Sequence, residues 1–203
     1  MTFRFPALAL TAVLALPLAA EAATVSFSVL PDSAVMNPLA NATTGVVHEN
    51  ITGSVTNEYR SPWQSAGSAI DYNDASAWYT SVQGGGSATY DLGLSSALSF
   101  VWGSPDTYNT VEFLLGGMVV DTVILGAGDV ILPGSFATNS ALATFADIGQ
   151  GVFDSVRMLS GGNSFEFANL GTAPAPIPVP AAGVLLLTAL GGMAALRRRN
   201  KKA

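Results

Sequence analysis

The chain has 203 residues, a formal net charge of −6, 49% hydrophobic residues and no cysteine. That length leaves about 150 residues for one packed domain once both ends are set aside, and the missing cysteines exclude a disulfide framework, a thiolate metal site and a cysteine nucleophile. Between residues 23 and 172 only Arg60 and Arg157 stand against thirteen acids, a local charge of about −11, so nucleic acid is excluded as a partner.

Residues 1–22 carry the pattern of a secretory signal peptide. Arg4 and the amino terminus supply the positive start, and Phe5 to Ala20 is almost wholly apolar. Ala20-Glu21-Ala22 is a small-x-small cleavage pattern, which predicts a mature chain beginning at Ala23. The implied partners are the Sec export machinery and signal peptidase.

Residues 23–170 are predicted to form an all-β ectodomain, an antiparallel, jelly-roll-like β-sandwich. Short runs of period-2 alternation are divided by Gly, Asn, Asp and Ser. Val25, Phe27 and Val29 alternate with Thr24, Ser26 and Ser28. Further candidate strands are 77–82, 87–92, 97–102, 110–115, 118–125, 142–147, 152–159 and 164–169. No sustained helical period occurs in this region.

Gly116-Gly117 is the clearest hairpin turn. A two-residue loop there pairs Leu115 with Met118 and Phe113 with Val120, and sets Glu112 opposite Asp121. Two acids directly opposed are unfavourable, so either the loop is longer or the acids share a cation.

Four segments carry candidate chemistry. Trp102, Asp106, Tyr108 and Asn109 combine aromatic faces with hydrogen-bonding groups suited to a glycan, or they are a buried Trp ending a strand with Ser-Pro-Asp as a turn. Asp71-Tyr72-Asn73-Asp74 offers oxygen ligands for Ca²⁺ but lacks the other positions of an EF-hand loop, so Asx turns are the rival. No other cofactor and no other metal is expected. Gly84-Gly85-Gly86 is followed by a strand pattern, not a helix, and is read as a turn rather than a phosphate loop. His48 is the only histidine, with no nucleophile signature beside it.

The C-terminal segment has three parts in order. Residues 171–180 are a Pro-rich linker, in which alternating prolines hold the chain extended at about 3.1 Å per residue. Residues 181–196 are apolar and predict a single transmembrane helix, 16–17 residues or about 25 Å long, near the short limit for a bilayer. Arg197, Arg198, Arg199, Lys201 and Lys202 form a basic cytoplasmic stop.

This order resembles the PEP-CTERM class of bacterial sorting tails, and most closely its VPLPA-CTERM subtype. The resemblance rests on Ile177-Pro178-Val179-Pro180-Ala181, the apolar stretch and the basic end, and departs from the subtype at Ile177 and Val179. It implies an exosortase as partner and a cut near the motif. The stretches SVQGGGSATYDLG, FVWGSPDTYNTVEF and SGGNSFEFANL are similar to segments of exosortase-dependent surface proteins, a group without established catalytic activity.

Together these readings predict a non-enzymatic, exported protein of a Gram-negative bacterium. It is first held in the inner membrane, then processed to the cell surface or an extracellular, exopolysaccharide-rich biofilm matrix. The rivals are a displayed carbohydrate-binding module and an envelope hydrolase with an unrecognised carboxylate pair.

Overall fold

The computed structural model describes residues 23–125, 140–149 and 151–175. Expectations for the signal segment, with Ala20 and Ala22, and for the sorting motif, apolar stretch and basic cluster lie outside these residues. No helix among the described residues is long and apolar enough to cross a membrane.

The fold is all-β and antiparallel. Its described strands are β1 (Thr24–Ser28), β2 (Ala42–Thr44), β3 (Val47–Ile51), β4 (Tyr79–Val82), β5 (Ser87–Gly103), β6 (Asn109–Leu115), β7 (Met118–Ile124), β8 (Ala141–Ala146), β9 (Phe153–Ser160) and β10 (Phe165–Pro174). One 3₁₀ turn, Pro62–Gln64, lies between β3 and β4, with the Ser61 side chain accepting from Trp63 N–H.

Strand β5 organises the sandwich. Its first half pairs with β2 on one edge and β9 on the other. Its second half pairs with β10 and β8. A register shift between Asp91 and Ser95, where Gly93 has φ +69°, separates the halves. One layer is therefore β2-β5-β9-β6-β7, and the other is β3-β4-β10-β5-β8-β1. The sequence pattern predicts two strands here, 87–92 and 97–102. The structure keeps them as one, because both halves find partners on both edges.

Alternation puts large side chains between the layers. Phe113 of β6 meets Phe145 of β8 at 5.7 Å, and Tyr90 of β5 meets Phe167 of β10 edge-on at 5.8 Å. Aromatic pairs prefer such tilted or offset contacts. Trp102, Phe100, Phe165 and Phe153 complete this fully buried core.

A second, smaller core lies on the outer face of the β10-β5-β8 layer. Val101 and Ala168, which alternate with the inward Trp102 and Phe167, pack there with Trp63, Ala77 and Tyr79. The long segment between β3 and β4 covers this face, anchored where Trp63 Nε1–H donates to Trp78 O at 3.1 Å. This explains why β4 is buried at all four positions.

Two further expectations need correction. The Gly116-Gly117 hairpin forms with Leu115 opposite Met118, but a bulge between Phe113 and Leu114 shifts the register. Phe113 then faces Asp121, not Val120, and Glu112 faces Thr122. The like-charge clash disappears without a longer loop or a cation. At the other boundary, β10 runs past residue 170: Thr172 pairs with Leu98 and Pro174 with Ser95. Four residues assigned to the linker are strand.

Candidate functional site

A groove of about 650 Å³ opens at one end of the sandwich. Three connections build it: the β3–β4 segment at residues 54–64, the β5–β6 turn at 104–108, and the β9–β10 turn with the start of β10 at 163–166.

The β3–β4 segment folds back tightly, since Val55 N–H donates to Tyr59 O at 3.0 Å and Tyr59 N–H returns to Val55 O at 3.1 Å. This turn carries Glu58, Tyr59 and Arg60 onto the rim. Tyr59 rests against Tyr79 at 6.3 Å and against the His48 ring at 5.0 Å. His48 Nε2 lies 3.1 Å from Glu58 Oε1, close enough for an ion pair when the ring is protonated.

The β5–β6 turn is closed by Asn109 N–H donating to Asp106 O at 3.1 Å. Tyr108 stands at its centre. Its hydroxyl lies 2.6 Å from Asp106 Oδ2 and 2.9 Å from Asn163 O. One proton thus serves two acceptors. Burial, then the neighbouring Asp106 carboxylate, pushes the Tyr108 phenol well above its usual range. The ring lies on Gly162, where a Cβ would come within 3.1 Å of it.

Asn163 ties the three connections together. Its Oδ1 accepts from Gly84 N–H at 3.1 Å, and its Nδ2 donates to Asn57 O at 3.2 Å.

Glu166 lies at the floor and is 3% exposed. Its Oε1 accepts from Arg60 N–H at 3.0 Å and from the Ser164 hydroxyl. Burial holds this carboxyl above the usual carboxylate range; the two hydrogen bonds oppose that shift, and the charge of Asp106 adds to it.

The predicted glycan set is therefore divided. Asp106 and Tyr108 line the groove. Trp102 and Asn109 do not: both are fully buried. The Trp102 ring stacks on Phe165 at 5.1 Å in the core, and Asn109 Oδ1 accepts from Ser160 Oγ at 3.3 Å. An aromatic face buried on both sides offers no platform, so Trp102 is a core residue near the end of its strand; the hydrogen-bonded turn spans Asp106 to Asn109 rather than Ser104 to Asp106.

The Asp71–Asp74 segment forms Asx turns. Asp71 Oδ1 accepts from Asn73 N–H at 2.9 Å, and Asp74 Oδ1 from Ser76 N–H at 2.7 Å. Among the described residues no three or more His, Asp or Glu side chains are grouped to hold a metal ion. Gly84–Gly86 link β4 to β5, as a turn should.

Sequence reasoning missed Glu166, Tyr59, Arg60 and Asn163. One signal was present: Glu166 sits between Phe165 and Phe167 in a strand. A charge between two inward phenylalanines must face outward, and its burial requires a cover from elsewhere in the chain.

No protein-family model matches the chain, and no curated protein matches it. Among solved structures it is similar to the catalytic unit of a thermostable GH87 alpha-1,3-glucanase from Streptomyces thermodiastaticus strain HF3-3, at 14% identity and a TM-score of 0.32. The alignment covers 78% of this chain and 28% of that one, so this chain spans little more than a quarter of its length. Overlap of this kind assigns no activity here.

Proposed function

We propose that this chain is an exported, exosortase-processed surface or matrix protein, without catalytic activity of its own, whose ectodomain holds extracellular polysaccharide in the groove beside Tyr108 and Glu166. The observation that carries the ligand class is the lining. Tyr59 and Tyr108 stand among carboxylates, amides and hydroxyls from three converging connections. Saccharides are recognised by such a mixture, with apolar ring faces and paired polar groups. Glu58, Asp106 and Glu166 outnumber Arg60, which favours neutral sugars over uronic acids. Export is supported by the signal-like start and the tripartite tail.

Two measurements test this reading. Intact mass of the protein from its host should show a chain that starts at Ala23 and lacks RRRNKKA; a mature chain retaining that end would sink the processing claim. Titration with neutral glycans should give binding that Tyr108→Phe and Asp106→Asn each weaken about tenfold, the value of one good hydrogen bond. Binding that both variants leave unchanged would remove the groove from the proposal.

A second reading, glycan hydrolysis, is favoured by one observation. Asp106 and Glu166 share the groove, and the first raises the proton affinity of the second. Against it, Glu166 is nearly inaccessible and its Oε1 already holds two donors. Release of reducing ends that Glu166→Gln abolishes would favour it over simple binding.

A further inference from the structure

The two layers of the sandwich meet at two sides. On one side β2 and β3 are joined directly through the chain, so the edges are held covalently. On the other side the edge strands are β7 and β1, and a hydrogen bond joins them. Ala23 N–H, one position before the first ladder pair of β1, donates to Asp121 Oδ2 of β7 at 3.1 Å.

Asp121 is built to receive that nitrogen. Its Oδ2 also accepts from Gly149 N–H at 2.9 Å, and its Oδ1 from Thr122 N–H at 2.8 Å. Gly149, at φ +52°, lies so close to β7 that a Cβ would meet Val120 O at 2.9 Å. The carboxylate is half-buried, and Ala23 packs against the main core. A carboxylate with neutral amide donors on both oxygens lacks a counter-charge, and among the described residues no salt bridge involves Asp121.

We propose that Asp121 is the receptor for the α-ammonium group created when the chain is cut between Ala22 and Ala23. The cleavage that frees the protein would thereby convert a neutral hydrogen bond into a charge-assisted one and lock β1 onto β7. This rests on the cleavage position in the proposed function. The cut itself is ordinary peptide hydrolysis: water is added across the Ala22–Ala23 bond, which leaves a carboxylate on Ala22 and an amine on Ala23 that takes up a proton. Charge-assisted bonds are roughly twice as strong as neutral ones.

The pH dependence has a definite sign. Among the described residues a second acid lies beside the site: Asp147, in the turn after β8, whose Oδ2 accepts from Thr24 Oγ1 at 3.0 Å. Both acids favour the ammonium form, so folding raises the amine's pKa above its ordinary value of about 7.7–8.0. The added stability is fully present below that ordinary value and is lost as pH rises through the raised one.

The test compares two full-length chains in detergent micelles: Ala23 to Ala203 with Ala23 first, and the same chain with Ala22 retained. Near pH 6 the first should melt about 3–8 °C higher, and the gap should close above about pH 10. Asp121→Asn should remove the gap. Equal melting at every pH, or a gap that Asp121→Asn preserves, overturns the proposal. Should Asp121→Asn not fold, NMR titration of the Ala23 amine decides: a pKa above the ordinary range supports the pair, and one at or below it overturns it. A native protein whose mass shows a different first residue overturns the cleavage reading instead, which the melting comparison does not depend on.

Discussion

Arg157 of β9 lies directly opposite Glu112 of β6, and its Nε and one terminal nitrogen both donate to Glu112 Oε2. Arg157 is thus matched to the acid that sequence pairing would have set against Asp121. The side chains are 35% and 19% exposed, so water screens the pair only in part. Arg157→Met and Glu112→Gln should each cost about 1–2 kcal/mol in urea unfolding. The double variant should cost clearly less than the sum, since the same contact is lost once. Additive losses would show that the two side chains act separately.

Trp102 and Tyr108, six residues apart, should behave oppositely. Trp102 is fully buried among Phe100, Phe145 and Phe165. Trp102→Ala should cost about 3–5 kcal/mol through the cavity it leaves. Its Nε1–H is buried without an acceptor, so Trp102→Phe removes an unsatisfied donor along with some packing and should be much milder. That variant should bind glycan like the parent, whereas Tyr108→Phe should fold normally and bind poorly. Loss of binding in folded Trp102→Phe would return the tryptophan to the site.

The contrast shows what was legible in the chain. Period-2 alternation located most strands, because a strand with one buried face writes its pattern locally. In β8 buried and partly exposed positions alternate throughout. The failures were non-local. Nothing near Gly93 says that β5 continues, because its continuity depends on partners from both ends of the domain. The bulge at Phe113, which puts Thr122 rather than Asp121 opposite Glu112, is set by the pairing of two strands and not by either alone. The groove was half legible: Tyr108 and Asp106 stand in a recognisable segment, but Glu166 gains meaning only when the turn at Tyr59 and Arg60 closes over it.

Gly162 supplies an independent handle on Tyr108. A Cβ at this position would lie 3.1–3.2 Å from three atoms of the tyrosine ring, closer than most carbon contacts, so the ring must give way by a few tenths of an ångström. Gly162 is also at the surface end of the β9–β10 turn, where such a shift disturbs no core side chain. Gly162→Ala should therefore lower glycan affinity several-fold while changing stability by less than about 1 kcal/mol. Undiminished affinity would mean that the ring position does not matter to the ligand.

Glu166 should make stability fall as pH rises. Its carboxyl is held above the usual range chiefly by burial, with Asp106 adding to the effect. The unfolded chain releases this proton near pH 4.3, but the folded chain keeps it longer. Below that pH both states are protonated and Glu166 has no effect. Above it the unfolded state ionises first and is favoured, until the folded pKa is passed and the penalty is complete. Glu166→Gln keeps an acceptor oxygen for Arg60 N–H and the Ser164 hydroxyl and carries no charge. It should melt close to the parent near pH 4 and above it at neutral pH, with the difference growing through the folded pKa. Thermal melts across that range decide the matter. A parent that is more stable than Glu166→Gln at neutral pH would mean that the hydrogen bonds, not burial, dominate this carboxylate.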